Sequence, residues 1–158
     1  MNADELRTAL GPLVGPAVHS VEPATRAAGR VQFRRERALD VFRTMHDQLG
    51  FRHLSMVGAI DWVDHREVFY VLWAEARKEY VHLTTDLPAD DAHVESASGV
   101  WPSANWHERE AWELVGVRFD HHPDLRHLLT PDDYVFHPLL RSFKLHEPED
   151  LEVKVRDV

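Results

Sequence analysis

No cysteine occurs among the 158 residues of this chain. A disulfide framework, a thiolate zinc site, a cysteine nucleophile and a cysteine-ligated iron–sulfur cluster are all excluded by that absence. Long apolar runs are missing too. The longest are strand-length pieces, far below the roughly 20 residues that a membrane-spanning helix requires. Residues 1–10 carry Asp4 and Glu5 and lack the basic, apolar, small-residue progression of a signal peptide. The expectation is a protein of the cytosol, or one held at a membrane complex through other subunits. Positive charge is in deficit: a formal charge of −9 argues against general binding of nucleic acid or anionic lipid. The seven glycines form no phosphate-cradling loop, and no serine sits in the Gly-rich elbow of a hydrolase. Internal repeats and low-complexity segments are also absent.

What is present suits one compact domain, with 44% hydrophobic residues. A chain of this length buries roughly 70% of its unfolded surface and needs no disulfide or structural metal to fold. Residues 4–10 read as a short helix broken by Gly11-Pro12 and Gly15-Pro16. Residues 17–21 and 30–33 read as short strands around a turn. Between 37 and 49, apolar residues recur with helical spacing, and Gly50 closes the helix. Residues 54–63, 68–74 and 80–85 are rich in β-branched and aromatic side chains, which predicts an antiparallel meander. The acidic stretch 86–98 reads as a surface connection. The fold class expected is α+β: a small, mostly antiparallel sheet covered by helices, then a helix-loop docking segment and an extended tail. One domain spans 1–145, with an α+β core at 1–98 and the helix and loop at 99–145. A polar tail occupies 146–158.

The segment from Trp101 to Gly116 carries helix signals. Asn105 and Glu108 have capping-box spacing, and Gly116 supplies a left-handed C-terminal cap. Arg109 and Glu113 are an (i, i+4) pair. Thr130 with Pro131 reads as the start of another helix.

Several clusters invite a chemical reading. His107-Glu108 suggests the zinc-protease HExxH helix, but the position of the second histidine is Ala111, so zinc cannot be chelated that way. His121, His122 and His127 with Asp124 could form a metal cluster, but adjacent histidines on an irregular loop point in different directions, so the reading taken is a capped loop whose imidazoles bond backbone groups or face water. Glu108 and Glu110 lie about 200° apart around a helix, so they do not form an acid/base pair. Glu110 and Glu113 do lie near each other, and the carboxylates have a structural reading as caps and as partners of arginines such as Arg126 or Arg141. Trp101, Trp106 and Trp112 fall within twelve residues. Tryptophan anchors interfaces, so Trp112 is assigned to the core and at least one of Trp101 and Trp106 to a partner-facing role.

The run Trp101 to Phe119, followed by His122-Pro123-Asp124-Leu125-Arg126 and Leu128-Leu129-Thr130, closely resembles the signature of the thirty-kilodalton subunit family of complex I, the C-type subunits of NADH-quinone oxidoreductase. Within it, Trp101, Trp106, Glu108, Arg109, Glu110, Glu113, Gly116, His122, Pro123, Asp124, Leu125 and Arg126 stand at signature positions. The resemblance implies a chain without catalytic, cofactor or metal residues of its own. FMN, iron–sulfur clusters and quinone would belong to partner subunits. It further implies docking on the quinone-site subunit of the forty-nine-kilodalton type and on the cluster-bearing subunit of the twenty-kilodalton type. The ferredoxin-like subunit is a further candidate partner, and the location implied is the cytoplasmic face of the inner membrane. The Glu-Arg-Glu helix and the His-Pro-Asp-Leu-Arg loop would then serve subunit packing and docking.

Two departures stand out. His121 occupies a position where glycine is common, and 136–145 replaces the usual Gly-His-Pro-Leu-Arg-Lys-Asp segment with Phe136-His137-Pro138-Leu139-Leu140-Arg141-Ser142. The second leaves the electron donor open. The leading expectation is a structural subunit of a proton-translocating NADH:quinone oxidoreductase. Its rival is the equivalent subunit of a group 4 NiFe hydrogenase, a formate hydrogenlyase, or an F420H2 or ferredoxin dehydrogenase. A free-standing enzyme or metal protein using the histidines is the reading of a different class.

Overall fold

The computed structural model describes residues 1–25 and 27–144. Five strands form the main sheet: β1 (Val18–Ala24), β2 (Ala27–Phe33), β3 (His53–Asp61), β4 (His65–Ala74) and β5 (Glu79–Pro88). Their order is β1-β2-β5-β4-β3. The meander β3-β4-β5 is antiparallel, as is the β1-β2 hairpin. The two units join through a parallel pairing of β2 with β5, where Val31 lies opposite Leu83. That parallel seam requires a long connection from β2 to β5, and residues 34–78, which hold the helical segment and the strands β3 and β4, supply it.

Among the described residues, three α-helices cover the sheet. α1 (Ala3–Val14) starts with a complete capping box between Asn2 and Glu5 and buries Leu6, Leu10 and Val14 at helical spacing. It runs through Gly11-Pro12, contrary to the expected break. Pro12 lies in the last turn, where the loss of one N–H is tolerated because Leu10 and Val14 on either side are buried. α2 (Ala38–Arg43) continues into a π-turn at Thr44–Gln48. The wider turn still lets Val41, Phe42 and Met45 all reach the core. Gly50, with φ 69°, ends it as expected.

At the centre of the core, Phe42 packs on Tyr70, Phe33 and Trp101 with ring centroids 5.0, 5.6 and 5.7 Å away. Trp101 is therefore a core residue, and its indole N–H donates to the Phe51 carbonyl at 3.0 Å. α3 (Ala104–Val115) packs against edge strand β3, with the Ser103 hydroxyl donating to the Leu54 carbonyl.

The stretch 86–98 is more than a surface connection. β6 (His93–Glu95) pairs in parallel with β7 (Arg118–Asp120), and Val94, Ser96 and Ala97 are buried. No helix begins at Thr130; residues 121–144 form turns and irregular backbone. The tail assigned to 146–158 lies outside the described residues.

Candidate functional site

Helix α3 has an unusual interior face. Glu108, Arg109 and Glu113 are all buried, with Glu108 at 0% and Glu113 at 1% exposure. Burying a charge is costly unless hydrogen bonds replace the lost water, so each of these side chains should be hydrogen-bonded. Each one is, by a different stretch of backbone.

Glu108 accepts from the Ser96 hydroxyl at 2.6 Å and the Ala97 N–H at 2.7 Å. It is therefore no capping-box partner of Asn105, which itself sits inside the helix: the N-cap position is Ser103, and no side chain caps there. Burial pushes the Glu108 carboxyl up to about 7 despite these bonds, and nearby Glu95 adds to the rise.

Arg109 reaches away from Glu113 rather than pairing with it. Its guanidinium donates to the carbonyls of Arg126 and His127 at 3.0 and 2.7 Å. Glu113 instead accepts the N–H groups of Leu128, Leu129 and Thr130. Burial would raise its carboxyl, but the Thr130 hydroxyl and these N–H donors outweigh that and hold it at about 2. One residue pair on one helix thus holds both the acceptors and the donors of the loop 126–130.

His122 completes the arrangement. Its side chain is fully buried, 3.8 Å from Glu108. The Asp124 N–H donates to Nδ1 at 3.0 Å, which leaves Nε2–H to donate to the Asn105 carbonyl at 3.1 Å. Both nitrogens are used by the neutral ring, and burial lowers its pKa further. The contact with Glu108 is accordingly no ion pair.

The other predicted residues fall outside this buried set. Gly116 takes φ 76° as the helix cap, and a Cβ there would meet the His137 ring at 2.8 Å. Asp124 and Arg126 pair with each other at 2.9 Å on the exposed rim, so Arg126 bridges no α3 carboxylate. Pro123 is exposed and Leu125 half-buried in the same turn. Arg141 does not bridge to α3 either: its N–H donates to Asp61, and its guanidinium lies 5.8 Å from the Trp62 ring. Trp112 is half-buried against the core and meets His127 edge-on at 5.1 Å. Trp106 and Glu110 face outward, Trp106 at 67% exposure.

His121 has φ 59°, the left-handed conformation that explains why glycine suits this position; its ring pairs with Glu95 at 2.9 Å. Ser96, Ala97 and His137 are partners of α3 that sequence reasoning did not single out. They meet α3 only through the fold, and no spacing in the chain announces them. Among the described residues, no group of three or more His, Cys, Asp or Glu side chains could hold a metal ion.

The family described as respiratory-chain NADH dehydrogenase, 30 Kd subunit, matches residues 31–149. The chain belongs to this family. Among its relatives, the C subunit of NADH-quinone oxidoreductase from Geobacter sulfurreducens is 37% identical over 119 residues, which cover 73% of this chain and 74% of that one. The corresponding C subunit of Salinispora arenicola is 33% identical over 149 residues, 90% of this chain and 60% of that one. Two solved structures share the fold. One, from the membrane-bound sulfane sulfur reductase, an archaeal respiratory membrane complex, has a TM-score of 0.76 at 18% identity over 90% of this chain and 85% of that one. The other, the trypsin-resistant fragment of Nqo5, has a TM-score of 0.64 at 23% identity over 76% of this chain and 98% of that one. The family match takes in the whole set of buried charges on α3 and the loop it holds.

Proposed function

We propose that this chain is a non-catalytic structural subunit of the peripheral arm of a proton-translocating NADH:quinone oxidoreductase. In this reading it docks on the quinone-site subunit of the forty-nine-kilodalton type and the cluster-bearing subunit of the twenty-kilodalton type. The observation that carries the reading is the state of the α3 charges. Glu108 and Glu113, the carboxylates on this helix closest to an acid–base role, and Arg109 with them are each buried and hydrogen-bonded to this chain's own backbone and hydroxyl groups. A general acid or base must reach a substrate proton, and these three reach only the protein. Relatives named as C subunits of NADH-quinone oxidoreductase support membership of such a complex. No helix among the described residues is long and apolar enough to cross a membrane, so attachment at the cytoplasmic face would run through neighbouring subunits. FMN, iron–sulfur clusters and quinone would be held by those neighbours.

A second reading keeps the role and changes the complex: a group 4 NiFe hydrogenase, a formate hydrogenlyase, or an F420H2 or ferredoxin dehydrogenase. The departure at Leu139–Ser142 favours it, because Arg141 there is engaged on Asp61 and Trp62 within the chain. Purifying the native assembly through a tag on this chain separates the two. Flavin- and NADH-module companions are expected; a nickel-bearing large subunit would select the second reading. Recovery as an active, metal-loaded monomer would exclude both.

A further inference from the structure

Of the charged side chains on the Glu108–Glu113 stretch of α3, Glu110 stands apart. Its neighbours Glu108, Arg109 and Glu113 are buried and bonded, while Glu110 is exposed and has no ion pair or hydrogen bond among the described residues. Trp106, one turn earlier on the same helical stripe, is the most exposed tryptophan of the chain. Beside them runs a groove of about 160 Å³ between α3 and the β3–β4 strands, lined mainly by apolar surface from Met56, Gly58, Phe69 and Leu139, with His107 and Glu110 at its side. Gly58 lets the Phe69 ring lie close against the backbone at the groove, so close that a Cβ would meet the ring at 2.5 Å. Met56 and Leu139 are both strongly exposed, so the apolar floor continues onto the surface.

We infer that this groove seats a segment of a neighbouring subunit that places an apolar side chain against Met56, Phe69 and Leu139, and a lysine or arginine against Glu110, with Trp106 as the flanking anchor. The inference rests on the proposed role as a complex subunit and names the surface and chemistry of one contact. Charge complementarity selects the occupant. A second copy of this chain carries the same net −9. The chain's own residues 145–158 hold five acidic side chains against two basic ones, the wrong sign for a site whose exposed charge is a carboxylate. A basic, apolar segment of another subunit satisfies both halves of the surface.

The test uses the intact complex, purified through a tag on this chain. Trp106→p-benzoylphenylalanine, irradiated in the complex, is expected to crosslink to one companion subunit at a peptide with Lys or Arg beside an apolar residue. Glu110→Lys is expected to lower recovery of that companion about tenfold with the melting temperature of the isolated chain unchanged, and Glu110→Gln to lower it less. A crosslink to residues 145–158, to a second copy, or to a companion peptide without a basic residue overturns the assignment. So does an intact complex with no crosslink, or unchanged recovery with Glu110→Lys. If the wild-type chain brings down no companions at all, the subunit reading itself fails, an outcome distinct from a groove that proves irrelevant to an assembled complex.

Discussion

The sheet and the loop segment of this chain are held together by opposite means. Residues 18–88 and the helices over them rest on apolar burial: Phe42, Tyr70, Leu72, Val81 and Leu83 are fully enclosed. Residues 121–144 have almost no regular structure, and their backbone groups find partners in a few α3 side chains instead. An apolar core sums many small contacts over all its members, so truncating one large side chain weakens the whole of it. A polar clamp acts locally, because each buried group left unpaired costs its own desolvation. Burying charges adds little net stability, but here it fixes one conformation of a loop that could not otherwise satisfy its own N–H and C=O groups.

The largest expected effect lies in the first region. Phe42→Ala should cost about 4 kcal/mol, read as a drop in the midpoint of a cooperative denaturation that includes the whole chain. A change confined to α2 would show that the core does not melt as one unit.

Glu113→Ala should cost about 3 kcal/mol and act locally. Hydrogen exchange should speed up at Leu128, Leu129 and Thr130, while the amides of β4 and β5 keep their protection. Equal loss in both regions would mean that loop and sheet are one cooperative unit.

The two buried carboxylates should also respond to pH with opposite sign. Glu108 is raised from 4.5 to about 7, so the folded state holds its proton more tightly. Its stabilisation is full below 4.5 and fades as pH rises through about 7. Glu113 is lowered from 4.5 to about 2, so its stabilisation is full above 4.5 and fades as pH falls toward about 2. Denaturation midpoints of Glu108→Gln should lose the decline on the neutral side, and those of Glu113→Gln the decline on the acid side. Identical profiles for both variants would contradict the distinct environments.

The smallest effect should come from Tyr70→Phe. The Tyr70 hydroxyl is buried without a hydrogen-bond partner, so removing it should be neutral or stabilise by up to about 1 kcal/mol. A clear loss of stability in thermal denaturation would reveal a partner for that oxygen.

Periodicity made much of the fold legible. The meander of β3 to β5 and the cap at Gly116 could be read directly, because alternation and turn chemistry are local. Three features could not. α1 continues through Pro12 because burial on both sides outweighs one missing bond. The strands β6 and β7 are three residues each, too short for any pattern, and they pair across the whole of α3. Asn105 and Glu108 have capping spacing, yet Glu108 points to Ser96 and Ala97, partners that only the tertiary structure supplies.

The signature residues from Trp101 to Thr130 sufficed for the family, because an ordered string of chemically distinct side chains is specific whatever its geometry. Their roles were decided in three dimensions. Trp101 and Trp106 look alike in the chain, yet one fills the core and the other faces solvent. Glu110 and Glu113 are separated by less than a helical turn, yet one is exposed and the other holds three backbone amides. Burial and hydrogen-bond partners depend on what the rest of the chain brings alongside, and no local pattern carries that information.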